Sequence, residues 1–322
     1  MLNRHFYRAK TLQSLYAYQV SESSNLLDGE KKLIESIEKL ENIHVYLLSS
    51  ILEIHSIAEE QIEAAKLKYF PTEEEKNPNL KFLNNAIIAQ LKNNVELESK
   101  IKRLKISWHD HRDILIDIYN KFKNSDIFKS YMSEEEEYDV DKKIIIQLLK
   151  NHIIRNEQLY DILCENELEW ETYYEIIAYH LILFIKDFTQ EDTILKALPK
   201  IFDKKNEEGQ NENDKDLMKK LFRKTIQESD FMEELIKKRI QNWEIERIAI
   251  LDIIIIKMGI VELMYCPDIP IRVTLNEYIE LAKEFSTEKS RIFVNGVLDK
   301  LIAELRVMGK LRKIDDENQI DI

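Results

Sequence analysis

Hydrophobic side chains recur at helical spacing along most of the chain, and the densest run begins at Trp243 with WEIERIAILDIIIIKMGIVELMY. Ile245, Ile248, Leu251, Ile253, Ile254, Ile255, Ile256, Ile260 and Leu263 fall on every side of a helix that turns about 100° per residue, as expected when other helices enclose it. Asp252, Lys257 and Glu262 interrupt the run, whereas a membrane span wants about 20 nearly uncharged residues. The segment is therefore predicted as the central helix of a bundle. Pro267 and Pro270 end it in an extended turn, because the residue before a proline avoids the helical region. Thr274, three residues before Glu277, predicts a capping box opening the next helix, whose apolar stripe is Leu275, Tyr278, Ile279, Ala282 and Phe285. Ser286 and Thr287 restart the chain, Glu288 suits a helix N-terminus, and Phe293, Val294, Val297, Leu298 and Leu301 repeat at helical spacing. Gly296 inside that helix predicts close packing against a neighbour, since glycine there costs about 1 kcal/mol relative to alanine.

Further towards the N-terminus, Leu33, Ile37, Leu40, Ile43, Leu47, Leu48, Ile51, Ile54 and Ile57 predict a long helix within residues 28–70, stopped by Pro71. The segment PTEEEKNPN predicts a charged loop, residues 80–104 another helix, and residues 108–122 one more. The acidic run Glu134–Glu137, with Asp139 and Asp141, predicts an exposed loop leading into a helix. Residues 140–188 predict at least two strongly apolar helices, with His180 a core histidine. Residues 203–215, polar and glycine-containing, form the one convincing linker.

The first 21 residues contain no acid, while Arg4, His5, Arg8 and Lys10 are basic or become so on protonation. As a helix they place Phe6, Ala9, Leu12, Tyr16 and Val20 on one side and Arg4, Arg8, Thr11 and Tyr18 on the other. One face is expected to pack and the other to be basic. A basic face bearing a tyrosine suits RNA, since guanidinium groups pair with phosphates and an aromatic ring stacks on a base. The plainer alternative is a solvated helix face.

With five glycines and five prolines in 322 residues, turns are scarce and the expected fold class is all-α. The net charge of −13 argues against coating nucleic acid by general electrostatics. Cys164 and Cys266 stand far apart in apolar contexts, which gives no disulfide framework and fits a reducing compartment. The N-terminus lacks the apolar core of a signal peptide, so a cytoplasmic location is expected. His109, Asp110 and His111 do not have metal-ligand spacing, and no phosphate loop or nucleophile elbow occurs. No catalytic residue, metal or cofactor is expected.

The run PDIPIRVTLNEYIELAKEFSTEKSRIFVNGVLDKL, the preceding NWEIERIAILD and the N-terminal RAKTLQSLYAYQ together resemble the NusB family of bacterial transcription antitermination factors. The resemblance covers residues 1–20 and about 213–308, and DKDLMKKLFRKTIQESDFMEELIKKRI looks like the family's second and third helices. The wide apolar faces of residues 4–20, 216–228 and 231–240 predict that the first packs beside the other two, and the resemblance implies that they belong to a NusB-like helical bundle. It also implies a non-catalytic RNA-binding factor that acts with a NusE-type ribosomal protein on boxA-like RNA of ribosomal RNA operons, and indirectly with RNA polymerase. The implied RNA contacts are Arg4, Arg8, Lys10, Gln13, Tyr16 and Tyr18, with Arg291, Phe293 and Asn295. Lys289 departs from the aspartate common in the family, which puts base discrimination in doubt. Glu246 and Asp252 are candidate contacts to the protein partner. NusB-like domains also occur fused to RNA cytosine methyltransferases, but the rest of this chain has too little glycine for such an enzyme's cofactor domain. The alternative function is a helical protein-interaction scaffold that keeps the bundle without RNA specificity.

Residues 21–212 lie outside the resemblance. Their apolar faces predict a folded helical insertion or extension, read as an added protein-interaction domain, with a homodimer interface or a lid over the basic face as alternatives. Residues 213–311 complete the bundle, and 312–322 form an acidic tail. No membrane partner is expected.

Overall fold

A computed structural model describes residues 4–21, 25–167, 169–192, 194–201, 214–240, 248–311 and 313. The fold is all-α: every regular element among the described residues is a helix. The chain forms two compact units, one of residues 38–201 and one of residues 2–37 together with 202–322. The long helix α2 (Leu26–Lys66) runs through the division at 37/38.

In the first unit, α2 is followed by α3 (Glu73–Lys76), α4 (Ala86–Lys92), α5 (Val95–Leu104), α6 (Arg112–Lys123), α7 (Asp126–Ser133) and α8 (Tyr138–Leu148). A π-turn at Leu149–Ile153 leads to α9 (Glu157–Asn166) and α10 (Glu169–Lys186). The stretch 80–104, expected as one helix, is two. Asn85 accepts from the Ile87 and Ile88 amides at 3.0 and 3.1 Å to open α4, and Asn94 accepts from the Leu97 amide at 2.8 Å to open α5. Side-chain caps of this kind outcompete helix continuation. The expected loop PTEEEKNPN contains α3, started by a capping box between Thr72 and Glu75. Glu134–Glu137 is the exposed connection between α7 and α8, as its charge implies. Buried Lys81 donates to the carbonyls of Tyr131, Glu134 and Glu135 at 2.7, 2.8 and 2.9 Å, satisfying oxygens that the end of α7 leaves open.

The second unit contains α1 (Arg4–Val20), the start of α2, α11 (Asp214–Gln227), α12 (Ser229–Arg239), α13 (Ile250–Tyr265), α14 (Ile271–Phe285) and α15 (Glu288–Val307). α13 packs against α1, α11, α12, α14 and α15, which is why its apolar residues surround it. No helix among the described residues is long and apolar enough to cross a membrane. The central helix starts later than its hydrophobic pattern implied: Ala249 is extended and caps it, while residues 243–247 lie outside the described residues. Two of its interrupting charges join neighbouring helices. Lys257 donates to Ser229 and Glu233 of α12, both at 2.7 Å, and Glu262 takes partners from α1 and α14.

α1 packs on α11, α13 and α14, whereas α12, expected beside it, packs mainly on α15 and α13. The capping box at Thr274 does not form: α14 already begins at Ile271 behind Pro270, and the Thr274 hydroxyl donates to Glu262 at 2.8 Å. Thr287 does cap α15, accepting from the Ser290 amide at 3.1 Å. Gly296 is not a packing glycine, for a Cβ placed there meets nothing within 4 Å. Close approach is found instead at Gly259, where a Cβ would lie 3.0 Å from Leu298 Cδ2, and at Gly29, where it would lie 2.7 Å from Tyr18 and 2.8 Å from Phe222. The polar linker predicted at 203–215 falls largely outside the described residues, and α11 begins at Asp214.

Candidate nucleic-acid interface

The basic residues of α1 do not share one exposed face. Arg8 is 1% exposed, and its Nε and a terminal nitrogen donate to the two carboxylate oxygens of Glu262 at 2.7 and 2.9 Å. Glu262 is itself fully buried and also accepts from the Thr274 and Tyr278 hydroxyls at 2.8 and 3.1 Å. A carboxylate withdrawn from water in the middle of an apolar helix requires such a set of donors. Burial works against the Arg8 charge, but the bond to Glu262 outweighs it and holds the guanidinium more firmly protonated than usual. Burial beside Glu262 raises the Tyr278 hydroxyl well above its ordinary pKa and pushes the Cys266 thiol up to about 11.

His5 extends this network to the surface. Its Nδ1 lies 3.0 Å from Glu277 and its Nε2 2.9 Å from Glu284, both on α14, while an Arg8 terminal nitrogen lies 3.3 Å from Glu277. The bond to Glu277 raises the His5 pKa to about 9; burial opposes this and Glu284 assists it. The bond from His5, with the charge of Arg8, lowers the Glu277 pKa. Lys313 donates to the Thr274 hydroxyl, and burial lowers its pKa to about 8.

These contacts correct the projected division of α1. Arg8 and Thr11, expected on the basic face, are interior, and Lys10 is also buried at 1% exposure. Tyr16, expected on the packed side, is 40% exposed. The reason is the long arginine side chain: its guanidinium finds a buried carboxylate across the bundle, which a projection based on hydrophobicity cannot register. Arg4 is partly exposed, with its Nε 3.6 Å from Asp214 of α11, and Gln13 is half-buried. Tyr18 packs edge-on to Phe222, ring centroids 5.7 Å apart, above Gly29. On α15, Arg291 is partly exposed and paired with Glu288 at 2.5 Å, Phe293 and Asn295 are half-buried, and Lys289 is exposed. α1 and α15 both pack on α13, and α14 touches both. Asp252 is 5% exposed in the first turn of α13, so it is not a surface contact for a partner; Glu246 lies outside the described residues. That His5, Glu262, Glu277 and Tyr278 form one network is not evident from the sequence pattern. Its only signal was a glutamate inside an apolar helix, which must find a partner.

The model of the NusB family matches residues 171–303, from α10 through most of α15. A protein of Thermodesulfovibrio yellowstonii, named transcription antitermination protein NusB, is 39% identical over 103 residues, 32% of this chain and 68% of that protein. The chain belongs to the NusB family. Proteins with the same name from Salinibacter ruber and Chloroherpeton thalassium are 39% and 40% identical over 99 residues each, 31% of this chain. The chain spans 62% of the Salinibacter protein and 47% of the Chloroherpeton protein. No solved structure matches it. The family match does not extend to α1, although α1 packs within the same unit as α11–α15. Among the described residues, α1, from the other end of the chain, packs on α11, α13 and α14 of the matched segment.

Proposed function

We propose that this NusB-family protein is a non-enzymatic transcription antitermination factor that binds boxA-like leader RNA together with a NusE-type ribosomal protein. The observation that carries the reading is family membership, with relatives named for transcription antitermination. The RNA-contacting groups in this reading are Arg4, Gln13, Tyr16, Arg291, Phe293 and Asn295, with Lys289 adding a phosphate contact. Arg8 acts from the interior, holding α1 on α13 and α14 so that its outer residues keep their register. Lys10 and Tyr18 belong to the packed side of the same helix.

A second reading, the interaction scaffold, is favoured by one observation: two of the expected cations of α1, Arg8 and Lys10, are buried, which leaves a smaller basic surface. Binding of boxA-like and scrambled RNA, each with and without the ribosomal protein, separates the two. Preference for boxA that weakens as salt rises supports the RNA reading. Equal binding of both RNAs in both preparations supports the scaffold.

A further inference from the structure

Within the unit of residues 38–201, a groove of about 770 Å3 runs between α10 and the segment from Lys150 into α9. Tyr160, Tyr174 and Ile182 line it, the two tyrosine rings meeting edge-on with centroids 5.0 Å apart. On its α10 side, Ile176 and Tyr179 remain 42% and 51% exposed. Tyr174 is 1% exposed, yet among the described residues its buried hydroxyl has no hydrogen-bond partner. Buried hydroxyls are nearly always bonded, so this one is set up to take a partner that arrives with a ligand.

Charge identifies the ligand's class. From Asn156 to Ile185 the chain carries seven carboxylates and no lysine or arginine, and three of them, Glu157, Glu171 and Glu175, line the groove. Lys150 and Arg155 line it with Glu157 on the segment leading into α9, while Glu171 and Glu175 stand on α10. An apolar, aromatic floor beside an acidic wall repels a phosphate backbone and matches a polypeptide with an apolar anchor between cations.

We propose that this groove binds a Lys/Arg-rich peptide segment of a protein partner, its aliphatic or aromatic anchor resting on Tyr160, Ile176 and Tyr179, a main-chain carbonyl accepting from the Tyr174 hydroxyl, and its cations facing Glu171 and Glu175. The site is independent of the RNA reading, since it lies in the unit that carries none of the RNA candidates.

The test uses the full chain and a fluorescein-labelled peptide, RKLLKRFLRK, with a control in which its leucines and phenylalanine are serine. The anchored peptide should bind about tenfold tighter than the control at moderate salt. Glu171→Gln with Glu175→Gln should weaken it about fivefold, and Ile176→Asp about tenfold, with circular dichroism unchanged because these positions are exposed. Tyr174→Phe should weaken peptide binding a few-fold while raising the thermal midpoint, since an unpaired buried hydroxyl is removed. Equal affinity for the two peptides, or unaltered binding by the variants, would overturn the proposal, as would a single-stranded RNA whose binding is lost in these same variants.

Discussion

Arg8 and Glu262, 254 residues apart in sequence, form a two-point ion pair at 2.7 and 2.9 Å with side chains only 1% and 0% exposed. The pair fastens α1 to the central helix. Removing one partner strands the other charge in the interior, so Arg8→Ala should lower unfolding free energy by roughly 3–5 kcal/mol. Arg8→Lys should recover only part of it, because an ammonium cannot match the two-point geometry. Urea denaturation of the three proteins measures both effects.

His5 gives stability a defined pH dependence. Its folded pKa of about 9 lies above its ordinary value of 6.5, so its contribution is complete below pH 6.5 and disappears as pH rises through 9. Allowing for solvent screening, the loss should be on the order of 1 kcal/mol. Lys313 acts with the opposite sign over a higher window, since its folded pKa of about 8 lies below the ordinary 10.5 and stability rises as pH climbs between them. The difference between wild type and His5→Gln isolates the histidine: the gap in denaturation midpoint should be widest below pH 6.5 and close above pH 9. A constant gap across that range contradicts the assignment.

The two glycines Gly29 and Gly296 should respond oppositely to alanine. At Gly29 the new methyl meets the Tyr18 and Phe222 rings at 2.7 and 2.8 Å, so overpacking should destabilise the fold by about 1–3 kcal/mol. At Gly296 the space is open and helix propensity should stabilise it by about 1 kcal/mol. Thermal midpoints that move in the same direction would contradict the packing described here.

How much of this was legible beforehand differs between elements. The enclosed helix α13 was visible because apolar residues on every side leave no other arrangement, and the Thr287 cap was visible because its chemistry is local. Thr274 and Glu277 have the spacing of a capping box, yet tertiary partners claim both: Glu262 takes the threonine hydroxyl, and His5 and Arg8 take the glutamate. The division of residues 80–104 hinged on Asn85 and Asn94, single residues inside an otherwise continuous apolar pattern. For the candidate interface, the sequence identified which side chains carry charge. It did not identify which of them face water, because the partner of Arg8 lies at the far end of the chain.

Proteolysis tests whether α1 is held by the bundle across a cut chain. Cleavage between residues 202 and 213 divides the protein into an N-terminal piece that carries α1 and a C-terminal piece that carries α11–α15. The two should remain associated in size-exclusion chromatography, because α1 packs on α11, α13 and α14. Arg8→Ala should let them separate. Separation of the cut wild-type pieces under native conditions would contradict the packing of α1.

The proposed RNA contacts of the outward groups of α1 and α15, with Arg8 working from within, are tested by the boxA-RNA affinity of Arg4→Ala with Arg291→Ala at several salt concentrations. The double variant should bind roughly ten- to thirtyfold more weakly and lose about two units of salt slope. Its thermal midpoint should fall modestly, because Arg4→Ala leaves the buried Asp214 carboxylate without its cation, so affinities are compared well below that midpoint. Wild-type affinity and an unchanged salt slope in that variant would contradict the account.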